Sequence, residues 1–146
     1  MGEIVISKEY GYVLSTFTAS ALYLFSLGIQ VGKYRRAADV PYPYAYAERA
    51  EAEKDPKKHL FNCAQRVHQN NLEVFPVYSS LLLVGGISHP VYASAAGAVF
   101  LIGRAVYSAN YLSGDPKKRV RGAFYSLGLL ALLGMTGSTL YNLLLQ

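Results

Sequence analysis

The stretch Arg66-Val-His-Gln-Asn-Asn-Leu-Glu73 runs without a break into Val74-Phe-Pro-Val-Tyr-Ser-Ser-Leu-Leu-Leu-Val84. Arg66, Asn70 and Glu73 are spaced i, i+4, i+7, so on a helix they share one face. That face carries two opposite charges and leads directly into sequence apolar enough for a membrane. Ionisable groups at the edge of a membrane helix are costly unless paired or solvated in a cavity. The feature reads as a binding site cut into a membrane helix bundle. The competing reading is an Arg–Glu pair that only locks helices together.

Working outward, no charged residue occurs in Gly11–Gly32, Val74–Gly103 or Gly122–Gln146. Runs of roughly 20 apolar residues match the bilayer core at about 1.5 Å per residue. The middle run is too long for one span, and His89-Pro90 divides it, because proline ends or kinks a helix. The expected fold is all-α: a four-helix transmembrane bundle with helices at about 8–36, 58–88, 91–113 and 118–145. One domain, residues 1–146, accounts for the chain. The first span is not expected to be a cleaved signal, since Glu3 and Glu9 stand where a basic region belongs. Pro76 removes a backbone donor inside the second span, and the resulting kink either shapes a pocket or serves packing.

The net charge of +5 has a topological explanation. Lys33, Arg35, Arg36, Arg49, Lys54, Lys57 and Lys58 flank the first connection, and Lys117, Lys118, Arg119 and Arg121 the third. The second connection, at Ser88–Val91, has no lysine or arginine. The positive-inside rule puts the first and third connections in the cytosol. The charge then belongs to anionic headgroups, not to nucleic acid, and no nucleic-acid motif accompanies it. The single cysteine, Cys63, excludes an intrachain disulfide. No Cys/His cluster has metal-ligand spacing, and His59 and His89 are expected in loops or at interfaces.

Gln30 is the one strongly polar residue deep in the first span and is expected to face the bundle. Arg35 and Arg36 close that span, where the simplest reading is a snorkelling anchor pair. Ala47–Pro56 alternates charges and reads as a solvated loop. Arg104, Tyr107 and Tyr111 are spaced i, i+3, i+7 on one face of the third span; an interfacial aromatic belt competes for the tyrosines. Collected at one membrane edge, arginines grip carboxylates in a fork, a glutamate takes an ammonium, and an asparagine both donates and accepts. A ligand with two carboxylates and one amine fits, and glutathione is one. An arginine beside its thiol would raise the thiolate fraction. The membrane side would admit an apolar second substrate.

The string Phe61-Asn-Cys-Ala-Gln-Arg66-Val-His-Gln-Asn70-Asn-Leu-Glu73-Val-Phe-Pro76 resembles the signature of the membrane-associated proteins in eicosanoid and glutathione metabolism. Ser7-Lys-Glu-Tyr-Gly-Tyr12, Gly85-Gly-Ile-Ser-His-Pro90 and Gly114-Asp-Pro-Lys-Lys-Arg119 support the resemblance, which extends over nearly the whole chain. It implies a homotrimer in endoplasmic-reticulum-type membranes, or in the outer mitochondrial membrane. Glutathione, as co-substrate, would lie between neighbouring subunits near the cytosolic face, with no metal. Arg66 and Asn70 match residues that hold the glutathione backbone, and Glu73 the one that takes its amine. Tyr107 and Tyr111 complete the shell, with Arg35 and His68 beside it. Arg119 is the best match to the arginine that activates the thiol, with Lys118 and Arg121 as alternatives, and Arg36 matches one that assists at the electrophile. His68 stands where the leukotriene-synthase branch has glutamine, and Val74 where it has tyrosine. The resemblance therefore implies transfer of glutathione to lipophilic electrophiles and reduction of lipid hydroperoxides. Leukotriene C4 synthesis and a non-catalytic lipid-binding scaffold are the alternatives.

Overall fold

The computed structural model describes residues 5–145. Among these, four helices are long and apolar enough to cross a membrane: α1 (Tyr10–Ala38), α3 (Pro56–Ser88), α4 (Pro90–Tyr111) and α5 (Tyr125–Leu145). Between α1 and α3 lies a single turn, α2 (Arg49–Ala52), and a 3₁₀ segment (Pro116–Gly122) precedes α5. The all-α, four-helix membrane architecture expected from the charge-free runs is the one observed. Glu3 lies outside the described residues.

The helix ends follow from local chemistry. The carbonyls of Ser7, Lys8 and Glu9 accept from the first amides of α1, which begins two residues later than expected. At its other end, Asp39 adopts φ 50°, a left-handed conformation that Asp tolerates. The amides of Asp39 and Val40 then donate to the carbonyls of Arg36 and Arg35, both at 3.3 Å, satisfying the end of the helix. His89 is the hinge between α3 and α4. Its amide donates to Gly85 at 3.1 Å, its carbonyl accepts from Ala93 at 2.8 Å, and Pro90 takes the first position of α4. α3 continues through Pro76.

One boundary departs from expectation. The basic run Lys117–Arg121 does not open an α-helix; it lies in the 3₁₀ segment, and α5 starts only at Tyr125. Asp115 caps the segment by accepting from the Lys117 amide at 3.1 Å, with Pro116 next. At three residues per turn, Lys118 and Arg121 fall on one edge and Arg119 on another.

The described chain packs as two compact units. One comprises residues up to Ala21, Phe75–Gly103 and Phe124 onward. Tyr78 is fully buried there, with its hydroxyl 2.9 Å from Ser20 Oγ and its ring stacked on Phe100 at 3.9 Å. A Cβ at Gly128 would lie 2.4 Å from the Ala96 carbonyl, so α4 and α5 approach through a glycine.

The other unit comprises Leu22–Val74 and Arg104–Ala123. Its core is Val31, Ala38, Val40, Ala47, Phe61 and Ala64, with Tyr34 and Leu112 against it. The Ala47–Pro56 stretch is therefore not solvated throughout. Asn62 accepts from the Ala47 amide at 2.8 Å and donates to its carbonyl at 3.0 Å, which anchors the start of the loop. Beyond it, α2 has no buried residue.

Candidate functional site

The site lies within the second unit, on α3, α4 and the 3₁₀ segment. Arg66 and Glu73, two turns apart on α3, pair at 3.0 Å. Their side chains are 42% and 48% exposed. The pair joins α3 to itself, so locking helices together is not its role. Pairs this exposed are worth only about 0–1 kcal/mol. A ligand carrying both a carboxylate and an ammonium can displace the two partners from each other at little cost.

A link between α3 and α4 is made by Arg104 of α4, which is 1% exposed. Its Nη2 donates to Asn70 Oδ1 at 2.7 Å and its Nε to Asn71 Oδ1 at 3.0 Å. Its guanidinium lies 4.2 Å from the centre of the Tyr107 ring, a cation–π contact. A guanidinium has only donors, so both asparagines must turn their carbonyl oxygens toward it. The amide nitrogen of Asn70 is thereby directed elsewhere and donates to Glu73 Oε2 at 3.3 Å. Asn71 is held further by bonds to the Val67 carbonyl at 2.8 Å and Ser108 Oγ at 3.3 Å. Sequence reading placed Arg104 on a face with Tyr107 and Tyr111 but gave it no role. The available signal was a cation inside a span, one or two turns from two tyrosines.

Tyr107 and Tyr111 follow on α4 with ring centres 5.9 Å apart. Tyr111 and Arg66 line one cleft of about 270 Å³ together with Tyr46, His59, Asn62, Cys63 and Pro116. Of the two places expected for His59, a loop or an interface, the loop is excluded: it lies in the first turns of α3, with Nε2 2.7 Å from the Gly114 carbonyl and 3.7 Å from Cys63 Sγ.

The three basic candidates of the 3₁₀ segment separate. Arg119 Nη1 donates to the Pro116 carbonyl at 3.1 Å, and Pro116 borders the cleft lined by Arg66 and Tyr111. Arg121 is bound to Asn110 Oδ1 at 3.2 Å. Lys118 is exposed.

Three other candidates, Arg35, Arg36 and His68, make other contacts. Arg35 is buried, so it is not a snorkelling anchor. It donates to the Tyr44 carbonyl at 2.7 Å and lies between the rings of Tyr42 and Phe61, 4.4 and 4.7 Å from their centres. Arg36 is exposed, and its Nε donates to the Gly32 carbonyl at 3.4 Å. His68 stands on a different face of α3 from Arg66 and packs against α1, where a Cβ at Gly28 would be 3.4 Å from its Nε2. Among the described residues no group of three His, Cys, Asp or Glu side chains could hold a metal.

The assembled groups offer donors from Arg66 and Asn70 and an acceptor at Glu73, with the Arg119 charge bound to Pro116 at the cleft's edge. That inventory suits an α-amino acid head with an acidic group near Arg119. A family model described as "MAPEG family" matches residues 13–141. Two curated relatives, both named microsomal glutathione S-transferase 2, match over 74 residues. The one from Homo sapiens is 38% identical and the one from Bos taurus 36%, each match covering 50% of this chain and 50% of the relative. The chain thus aligns with about half the length of these relatives.

Proposed function

Since the chain belongs to the MAPEG family, and is an integral membrane protein with four helices able to span, we propose that it transfers glutathione to lipophilic electrophiles and reduces lipid hydroperoxides with it. The observation that carries this reading is the Arg66–Asn70–Glu73 stripe, with its exposed, self-paired charges and an asparagine whose donor is directed outward. The γ-glutamyl end of glutathione has a carboxylate for Arg66 and Asn70 and an ammonium for Glu73.

The Arg119 charge, held at Pro116 on the edge of the cleft, would stabilise the thiolate. In conjugation, the sulfur attacks the electrophilic carbon; a C–S bond forms and the leaving group departs with its electron pair. Toward a hydroperoxide, the sulfur attacks the terminal oxygen and the O–O bond breaks. The alkoxide takes a proton and leaves as the alcohol. The resulting glutathione sulfenic acid condenses with a second glutathione, giving the disulfide and water.

Arg36 and His68 do not reach the stripe within one subunit, which supports a homotrimer with glutathione between neighbours. Arg36 rather than Arg35 is available there, because Arg35 is committed to the Tyr42–Tyr44 loop. The basic connections support a cytosolic site in an endoplasmic-reticulum or outer mitochondrial membrane. The flanking strings resemble type 3 of the microsomal transferases, whereas the matched relatives are type 2.

The test is turnover by purified protein in detergent, with an aryl halide and a fatty-acid hydroperoxide as alternative substrates. The reading expects a thioether from the first and alcohol plus glutathione disulfide from the second. Glutathione binding without either product would return the chain to a scaffold role.

A further inference from the structure

The connection between α1 and α3 is held down on both sides of Tyr46. Arg35 Nη1 donates to the Tyr44 carbonyl at 2.7 Å, and Asn62 of α3 holds the Ala47 amide at 2.8 Å and its carbonyl at 3.0 Å. Tyr42 and Tyr44 are 78% and 62% exposed, whereas Tyr46 is 39% exposed. The Tyr46 hydroxyl donates to Gln69 Oε1, one turn beyond Arg66 on α3, and Tyr46 borders the cleft that Arg66 and Tyr111 line. A backbone pinned before and after this residue presents its side chain at a set position.

The cleft begins where the stripe ends. Arg66 belongs to both, and the other α3 residues of the cleft, His59, Asn62 and Cys63, lie on its N-terminal side, away from Glu73. With the γ-glutamyl head on the stripe, the cysteinyl-glycine part enters the cleft. Extended, that dipeptide spans about 7 Å, and α3 rises about 10 Å from His59 to Arg66. The sulfur has Pro116, with Arg119 bound to it, at the cleft's edge. The glycyl carboxylate needs a donor of its own. Asn62 is committed to Ala47, and His59 Nε2 to Gly114. Tyr46 gives its proton to a neutral amide oxygen. A carboxylate outcompetes that acceptor, because charge-assisted hydrogen bonds are about twice as strong as neutral ones.

We propose, resting on glutathione as the ligand of the stripe, that Tyr46 binds its glycyl carboxylate. The hydroxyl turns from Gln69 to the carboxylate, just as Arg66 and Glu73 exchange each other for the two charges of the γ-glutamyl head. Tyr46 is then the residue that selects for a free C-terminus on the tripeptide.

Calorimetry on the full chain in detergent compares glutathione with its glycyl ethyl ester, which keeps the peptide and loses the carboxylate charge. The unmodified protein should bind the ester about tenfold more weakly, near the low end for a hydrogen bond to a charged group. Tyr46→Phe keeps the ring and removes the hydroxyl. It should weaken glutathione about tenfold and leave the ester within about twofold. Equal losses for both ligands would overturn the proposal, because Tyr46 would then only brace the loop. Unchanged glutathione affinity in Tyr46→Phe would overturn it as well. Arg66→Ala should weaken both ligands alike, through the γ-glutamyl head. Normal binding of both by Arg66→Ala would refute glutathione as the ligand of the stripe; a loss there, with Tyr46→Phe silent, would refute the role of Tyr46 alone.

Discussion

Replacing Arg104 with leucine tests whether the candidate site depends on a buried cation that holds the Asn70 carbonyl. The substitution removes the bonds to Asn70 at 2.7 Å and Asn71 at 3.0 Å and the contact with the Tyr107 ring. Side-chain hydrogen bonds in membrane bundles are worth about 0.6 kcal/mol on average and about 1.7 at most. A cation–π contact adds roughly 0.5–1 kcal/mol, more when desolvated. The loss should be about 2–4 kcal/mol, smaller than the 3–5 kcal/mol typical of breaking a buried ion pair in a soluble core. It should appear as a lower unfolding free energy in denaturing detergent. A second effect follows from the freed Asn70. With its carbonyl no longer held, the amide can reverse, and glutathione affinity measured by calorimetry should fall about tenfold, or ~1.4 kcal/mol. Asn70→Ala should lose nearly as much, and the double variant little more than either. Unfolding unchanged within about 0.5 kcal/mol, together with losses of affinity that simply add, would refute the reasoning.

Arg66→Ala should weaken glutathione binding by about 1.5–3 kcal/mol, the contribution of a charged hydrogen-bond partner, with assembly retained; calorimetry on the intact oligomer checks it. Arg35→Ala should act on the loop, because Arg35 holds the Tyr44 carbonyl and sits between Tyr42 and Phe61. Proteolysis within residues 40–47 should accelerate at least tenfold, the equivalent of losing one such charged bond.

The charge-free runs and the His89-Pro90 break were enough to read four spans, because the hydrocarbon core sets helix length directly. The stripe of Arg66, Asn70 and Glu73 was legible because helix periodicity alone puts the three on one face. Periodicity says nothing of which partner each side chain chooses. Arg66 pairs along its own helix, and α3 is tied to α4 by Arg104, whose partners are far away in sequence, and by Asn71 to Ser108. Arg35 and Arg36 are neighbours in sequence, yet one is buried in a loop clamp and the other exposed. Only the folded return of Val40–Ala47 over α1 and α3 separates them. The start of α5 was misread because Asp115 and Pro116 suit the first turn of an α-helix equally well, whereas here they open a 3₁₀ segment. That change of pitch puts Lys118 and Arg121 on one edge of the segment and Arg119 on another.

Ultraviolet absorbance of the bound thiolate as a function of pH tests the central claim most directly. A free cysteine thiol titrates near pH 8.5. A positive charge within about 4–6 Å favours the charged form and lowers that value by about 1–3 units. The unmodified protein should therefore hold glutathione largely as thiolate at neutral pH. Arg119→Ala should move the transition up by about 1–3 units and slow turnover in proportion to the lost thiolate, with affinity nearly unchanged. Lys118→Ala and Arg121→Ala should move it much less. A normal transition in Arg119→Ala, alongside a raised one in either neighbour, would contradict the account and transfer the role to that neighbour.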